Sequence, residues 1–281
     1  MLAEPATCSY SAAVTPDAEL PDGAERRSCA DGRADLLVAE APLLLLVDGQ
    51  QLLTMRTPGQ DDDLAVGFLL GEGIVAAADD VVVAERLAAD PARQQPDELR
   101  LRLRTPPGPL AQARLARTHE IRSSCGVCGS ADVHAVLEGA PPLLPGVPRV
   151  PRVLVPDLLA ELRQRQRLFA ATGGCHGALL ATADGTVRGF GEDVGRHNAL
   201  DKAIGMAARA GADLSQCIAV LSGRAGFDLV TKCLRTRIAV VVSVSAPSSL
   251  AYDLCAAAGA TLVGFARGER FVVYTGAERL P

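Results

Sequence analysis

The chain has 281 residues, 48% of them hydrophobic and 22% charged, with a net charge of -5. That is ample apolar material for one large globular domain or two smaller ones, and the acidic balance removes a broad attraction to nucleic acid or anionic lipid. Apolar runs stop far short of the about 18 residues a bilayer span needs. The N-terminus carries Glu4 early and lacks a basic start and a continuous apolar stretch, so it does not read as a secretory signal. Eight scattered cysteines do not read as a disulfide scaffold. A cytoplasmic protein with thiol cysteines is expected.

Residues 1–30 are rich in Ala, Pro, Asp and Ser and short on periodicity, and read as a loose segment through about Asp31. Ala34–Arg56 reads as β structure, with two apolar runs flanking Asp48-Gly49, a dipeptide suited to a tight hairpin. Asp61, Asp62 and Asp63 open a helix through Leu70, because carboxylates favour its positive N-terminal end. Leu99–Arg104 alternates Leu with Arg, the period of a half-exposed strand whose arginines lie on a solvated face. Pro106–Gly108 breaks this region, and six prolines between Pro141 and Pro156 predict an extended connection.

The remainder alternates helix and strand. Asp157–Phe169 is helical by spacing, with Leu158, Leu162 and Phe169 on one face. Gly177–Thr182 and Thr186–Phe190 form a hairpin around Asp184-Gly185. Helices over Arg196–Ala210 and Phe227–Arg235 alternate with strands over Cys217–Leu221 and Ile238–Val244. Ser248 caps a helix through Ala258, and strands over Thr261–Ala266 and Phe271–Tyr274 close the chain. This order predicts an α/β domain with a mostly parallel sheet covered on both faces. The boundaries follow as a small α+β region over 31–118, a cysteine loop and Pro-rich connection over 119–150, and the α/β domain over 151–281.

The segment SSCGVCGS places Cys125 and Cys128 two residues apart, beside Gly126 and Gly129. Small neighbours leave the sulfurs uncovered, and Arg114, Arg117 and Arg122 upstream favour thiolate over thiol, whose free pKa is about 8.5. Three chemistries fit the spacing. A structural zinc site needs a full tetrahedral ligand set, which His119 and His134 would complete from awkward distances. A dithiol redox pair sits on the first turn of a helix, which a glycine after each cysteine disfavours. A loop that carries sulfur as a persulfide uses the glycines, the exposure and the arginines together.

Other residues point to anions. Asp193 is placed to cap the helix that begins near Arg196, while Arg196 and His197 sit at its N-terminal turn. Cations there oppose the macrodipole, which favours a bound anion over helix stability as their role. Ser222, Gly223 and Arg224 follow an apolar strand and precede a helix, where open α/β sheets bind ligands; Ser222 also suits a helix cap. His176 reads as a structural histidine, and Cys217, Cys233 and Cys255 as buried small residues. Gly189, Gly191 and Gly195 fail as a dinucleotide fingerprint, because the third glycine is one residue late. His119-Glu120 has no second histidine at position 123 for a zinc-protease helix.

In order along the chain, CGVCG, TGGCHGA, EDVGRHNALDK, SGRAGFDLVTKC, SAPSSLA and LVGFARGERFVVYT resemble the formate dehydrogenase accessory sulfurtransferase family, FdhD/NarQ. The resemblance runs from about Val38 to the C-terminus. It implies a cytidine deaminase-like three-layer α/β domain with a smaller N-terminal α+β region, assembled as a homodimer. It implies a sulfurtransferase that accepts sulfur from a cysteine desulfurase and passes it to the molybdenum cofactor, as bis(molybdopterin guanine dinucleotide), destined for formate dehydrogenase. A guanine nucleotide is then expected to mimic the recipient. By position Cys125 matches the family's persulfide cysteine and Cys128 its partner.

The resemblance further assigns cofactor binding to Phe265, Ala266, Arg267, Gly268, Glu269 and Arg270. Arg267 and Arg270 supply cations in a turn between strands, and the Gly268-Glu269 order is a small departure with the basic ends kept. Arg196, His197, Ser222 and Arg224 complete the expected cofactor site. The His-x-Glu and Pro-Cys-x-x-Cys of a zinc deaminase are missing, so no catalytic zinc and no metal site is expected. Neither nucleic acid nor membrane is an expected partner. The alternative reading is a cofactor-binding insertion chaperone that transfers no sulfur.

Overall fold

The computed structural model describes residues 20–117 and 136–281. The chain opens with a two-stranded antiparallel ribbon, β1 (Ala24–Ser28) and β2 (Ala34–Val38). Regular structure therefore begins inside the segment expected to be loose, because Ala24–Ser28 gains a full ladder against β2. A four-stranded sheet follows in the order β4–β3–β6–β5, from β3 (Ala41–Val47), β4 (Gln50–Arg56), β5 (Val81–Leu87) and β6 (Asp97–Leu103). The β3–β4 hairpin turns on Asp48 and Gly49 at φ 44° and 88°, the left-handed pair that matches strand twist. Leu43, Leu45 and Val47 of β3 and Leu99 and Leu101 of β6 point to one buried face. On the other face Arg100 pairs with Glu98 and Glu85, as a solvated strand surface requires.

Helix α1 (Asp61–Gly71) covers that buried face. It is apolar nearly all round: Leu64, Ala65 and Leu69 join the small-sheet core, while Val66 and Leu70 join the core of the larger sheet. One helix thus seals two cores. After α2 (Pro109–Arg117) and the Pro-rich stretch come α3 (Leu154–Arg165) and α4 (Arg167–Thr172). The expected single helix over Asp157–Phe169 is two helices that meet at Gln166, and Leu168 rather than Phe169 is buried. The cause is distant in sequence. The Glu192 carboxylate accepts the N–H groups of Leu168 (3.0 Å) and Phe169 (2.9 Å), which starts a new helix there. Pro156 falls in the first turn of α3, where its missing N–H costs nothing.

The large sheet has the order β12–β11–β10–β9–β7–β8, from β7 (His176–Thr182), β8 (Val187–Asp193), β9 (Cys217–Leu221), β10 (Val240–Ser243), β11 (Thr261–Arg267) and β12 (Arg270–Thr275). Helices α5 (Arg196–Arg209), α6 (Phe227–Arg235) and α7 (Ser249–Ala258) link the strands. Only β9–β10 and β10–β11 pair in parallel; the flanking β8–β7, β7–β9 and β11–β12 pairs are antiparallel. The sheet is mixed, not mostly parallel, because the β7–β8 hairpin enters beside β9 in reverse direction.

Alternation along β9 makes the layers. Cys217, Ala219 and Leu221 face α1, α5, α6 and α7, while Ile218 and Val220 face α3. Helix α5 lies very close to its neighbours because glycines face it. A Cβ on Gly189 of β8 would sit 2.1 Å from the Ala203 carbonyl oxygen, and one on Gly67 of α1 would sit 1.8 Å from that of Asp201. The glycines at 189 and 191 thus serve packing under α5.

Candidate functional site

The carboxyl ends of β9 and β10, the start of β7 and the end of β8 meet along one edge of the large sheet. His176 pairs with Asp193 in the ladder, and Ala178 with Leu221, so His176 lies just beyond the end of β9. Loops leaving this edge carry the chemistry. Ser222 follows β9; its N–H donates to the Gly177 carbonyl (3.0 Å) and its Oγ accepts from the Gly177 N–H (2.8 Å). Ser222 is therefore a clasp between β7 and β9 and not a helix cap, since α6 begins at Phe227 behind Gly226. The Ser243 hydroxyl donates to the Gly223 carbonyl (2.6 Å), which ties the end of β10 to the same loop. The backbone at Gly223 lies against the His176 ring, with only 3.2 Å between Nδ1 and a Cβ placed there.

Around this point the sequence gathers cations. Arg196 and His197 are half-buried in the first turn of α5, and Arg224 is exposed in the β9–α6 loop. Burial and the charges of Arg196, His197 and Arg224 push His176 below its ordinary pKa, which keeps its ring neutral at neutral pH. Among the described residues Arg196 and Arg224 have no salt bridge, whereas His197 Nε2 is 3.5 Å from Asp228 Oδ2. The hydrogen bond from His197 holds the Asp228 carboxyl below its usual range. The positive end of a helix dipole and the basic side chains of Arg196 and Arg224 therefore meet along one edge, where Asp228 faces His197. Such an edge attracts polyanions such as phosphates.

Beneath the cations lies a buried ion pair, Lys202 Nζ to Asp193 Oδ2 at 2.7 Å, with the side chains 1% and 0% exposed. Asp193 does not cap α5 in the expected way. Its Oδ1 accepts from the Gly195 N–H (2.8 Å), ahead of the helix, and from the Asn198 side-chain Nδ2 (3.1 Å) in the first turn, and Gly195 is the residue at the cap. Its Oδ2 accepts from the Thr57 N–H (3.0 Å). Sequence reasoning passed over Lys202, Thr57 and Asn198. The signal within reach was EDVGRHNALDK, where an acid and a lysine nine residues apart fall on two adjoining elements.

The other expected binding residues form a second group. Phe265 is exposed at φ 51°, where β11 bulges against β12, and its N–H donates to the Ser245 carbonyl (3.1 Å). Ser245 is bonded in turn to Ser243, so Phe265 joins the edge that carries Gly223. Ala266 is buried in the α3-side core. Arg267, Gly268, Glu269 and Arg270 make an exposed hairpin turn, with Gly268 at φ 54°. Cys125 and Cys128 lie outside the described residues. Of the cysteines within them, Cys175, Cys217, Cys233 and Cys255 are buried, as read from sequence for the last three, and Cys29 is exposed.

The FdhD/NarQ family profile matches residues 38–281. The chain belongs to the FdhD/NarQ family. A relative from Anaeromyxobacter dehalogenans (strain 2CP-C), named sulfur carrier protein FdhD, is 43% identical over 271 residues, covering 92% of this chain and 93% of its own. Another of the same name, from Nocardia farcinica, is 45% identical and covers 88% of this chain and 89% of its own. Among solved structures, a proposed formate dehydrogenase accessory protein from Desulfotalea psychrophila superposes with a TM-score of 0.69 at 24% identity, over 92% of this chain and 98% of that one. This FdhD/NarQ member shares that fold.

Proposed function

We propose that the chain is a cytoplasmic sulfur carrier that takes sulfur from a cysteine desulfurase and passes it to the molybdenum cofactor required by formate dehydrogenase. The observation that carries the reading is the cluster of Arg196, Arg224 and His197 beside neutral His176, at the ligand-binding edge of an α/β sheet. The recipient, bis(molybdopterin guanine dinucleotide), is rich in phosphate, and this edge offers it charge and a helix N-terminus. The hairpin turn with Arg267 and Arg270 offers further cations. The names of relatives above 40% identity support the carrier role.

In this reading the Cys125 thiolate attacks the outer sulfur of the desulfurase persulfide. A sulfur–sulfur bond forms on Cys125 as the one on the desulfurase breaks, and the desulfurase cysteine leaves as thiolate. Cys128 is the partner thiol. Arg196, His197 and Arg224 hold the recipient's phosphates. The architecture is taken as cytidine deaminase-like over 151–281 with an α+β unit over 31–118, and the working form as a homodimer.

The test separates carrier from insertion chaperone. Formate dehydrogenase activity is measured in cells whose own gene is replaced by the Cys125→Ala/Cys128→Ala or the Arg196→Ala/Arg224→Ala variant. A carrier loses activity in both; a chaperone without sulfur transfer loses it only in the second.

A further inference from the structure

Thr57, Asp193, Asn198 and Lys202 are chemically committed to one another. Lys202 Nζ, 2.7 Å from Asp193, also donates to the carbonyls of Thr57 (2.8 Å) and Glu192 (3.2 Å). The Thr57 hydroxyl accepts from the Val194 N–H (3.0 Å), and Asn198 Nδ2 donates to the Met55 carbonyl (2.8 Å). Every residue of the turn 193–195 that leads into Arg196 is thus bonded to the network. Two of the anchors, Met55 at the end of β4 and Thr57 just after it, come from the other sheet's side of the molecule.

A buried ion pair is an expensive way to hold a turn. Desolvating two charges often costs more than their attraction returns, and an apolar pair of similar volume holds a fold as well. What the pair supplies here is direction. Asp193 fixes Gly195 and Asn198 through Oδ1 while Oδ2 is held by the Thr57 N–H and Lys202, and so sets where the first turn of α5 presents Arg196 and His197.

We infer that Thr57, Asp193 and Lys202 are positioning residues for the anion site. They aim the Arg196–His197 turn so that both side chains and the N-terminal N–H groups of α5 converge on one phosphate position. The inference rests on the anion-binding reading of this edge. Loss of the network loosens the turn and costs phosphate affinity, because cations that are not pre-organised pay ordering entropy on binding.

The test is GDP binding by calorimetry to the full-length chain over a range of salt concentrations. Wild type is compared with Asp193→Asn, Thr57→Val, Thr57→Ser and Arg196→Ala/Arg224→Ala. Asp193→Asn is expected to weaken GDP about tenfold and to flatten its salt dependence, as loss of a hydrogen bond to a charged group implies. Thr57→Val conserves shape and is expected to weaken GDP about threefold, and Thr57→Ser, which keeps the hydroxyl, to restore it. General destabilisation leaves the salt slope of the folded fraction unchanged. If Asp193→Asn does not fold, the Thr57 pair decides. Wild-type affinity and slope in Asp193→Asn and Thr57→Val, with binding lost in Arg196→Ala/Arg224→Ala, overturns the positioning role alone. Wild-type binding in Arg196→Ala/Arg224→Ala overturns the anion site itself, and the positioning role with it.

Discussion

His197 and Asp228 face each other at 3.5 Å across the first turns of α5 and α6. The imidazole holds the carboxyl ionised, so a negative charge stands inside a cation cluster that otherwise attracts anions. Asp228→Asn removes that charge without changing shape. GDP affinity is expected to rise about threefold at low salt, with the gain fading as salt screens the site. Titration of the variant against wild type at two ionic strengths checks this.

The four buried cysteines are expected to stay out of sulfur chemistry. Burial pushes Cys217 up to about 11 and Cys255 up to about 12, and burial with nearby carboxylates raises Cys175 further. A thiol held so far above neutral pH has almost no nucleophilic thiolate. Alkylation of the native chain should mark exposed Cys29 and spare Cys175, Cys217, Cys233 and Cys255. Peptide mapping after sulfur loading should find no sulfur on those four.

The α1–α5 crossing is expected to tolerate no side chain. A Cβ on Gly205 would lie 1.8 Å from the Asp63 carbonyl oxygen, and one on Gly67 as close to that of Asp201. Gly67→Ala or Gly205→Ala forces two backbones apart and should destabilise the chain by about 3 kcal/mol or more. Urea unfolding measures it, and both cores should loosen together because α1 seals both.

Between α5 and α6, Lys232 bonds both Asp201 (3.0 Å) and Glu72 (2.9 Å). Desolvation by burial is the largest influence on Asp201, and the one Lys232 ammonium it shares with Glu72 offsets it only in part. Fully buried Asp201 is pushed up to about 6, while Glu72, which also meets Arg235, is lowered. An unfolded aspartate titrates at about 3.9. From pH 6 down to 4 the folded chain therefore binds the extra proton, and this group adds stability as pH falls. The stability of wild type relative to Asp201→Asn should grow as pH drops from 6.5 to 4.5, read by unfolding at each pH.

Much of this was legible because local chemistry dictates it. Asp48-Gly49 forces its hairpin, Ser248 caps α7 by accepting the Ala251 N–H at 3.2 Å, and strand β9 and helix α6 begin and end where their patterns do. Arg196 and His197 stand out in the sequence because basic groups in a first helical turn work against helix stability, and Arg224 because it follows an apolar strand. Strand order was not, since nothing in the residues of β7 says that it enters antiparallel beside β9. Nor was the break at Gln166, which Glu192 imposes from another element. Asp193 reads as a helix cap and Lys202 carries no signal of its own until the fold buries them against each other.

The most direct test of the central claim is intact-mass measurement after incubation with a cysteine desulfurase and cysteine. Sulfur carriage predicts that the wild-type chain gains the mass of added sulfur, removable by a thiol reductant, and that Cys125→Ala/Cys128→Ala gains none. An unchanged wild-type mass, or equal gain by the double variant, would contradict it.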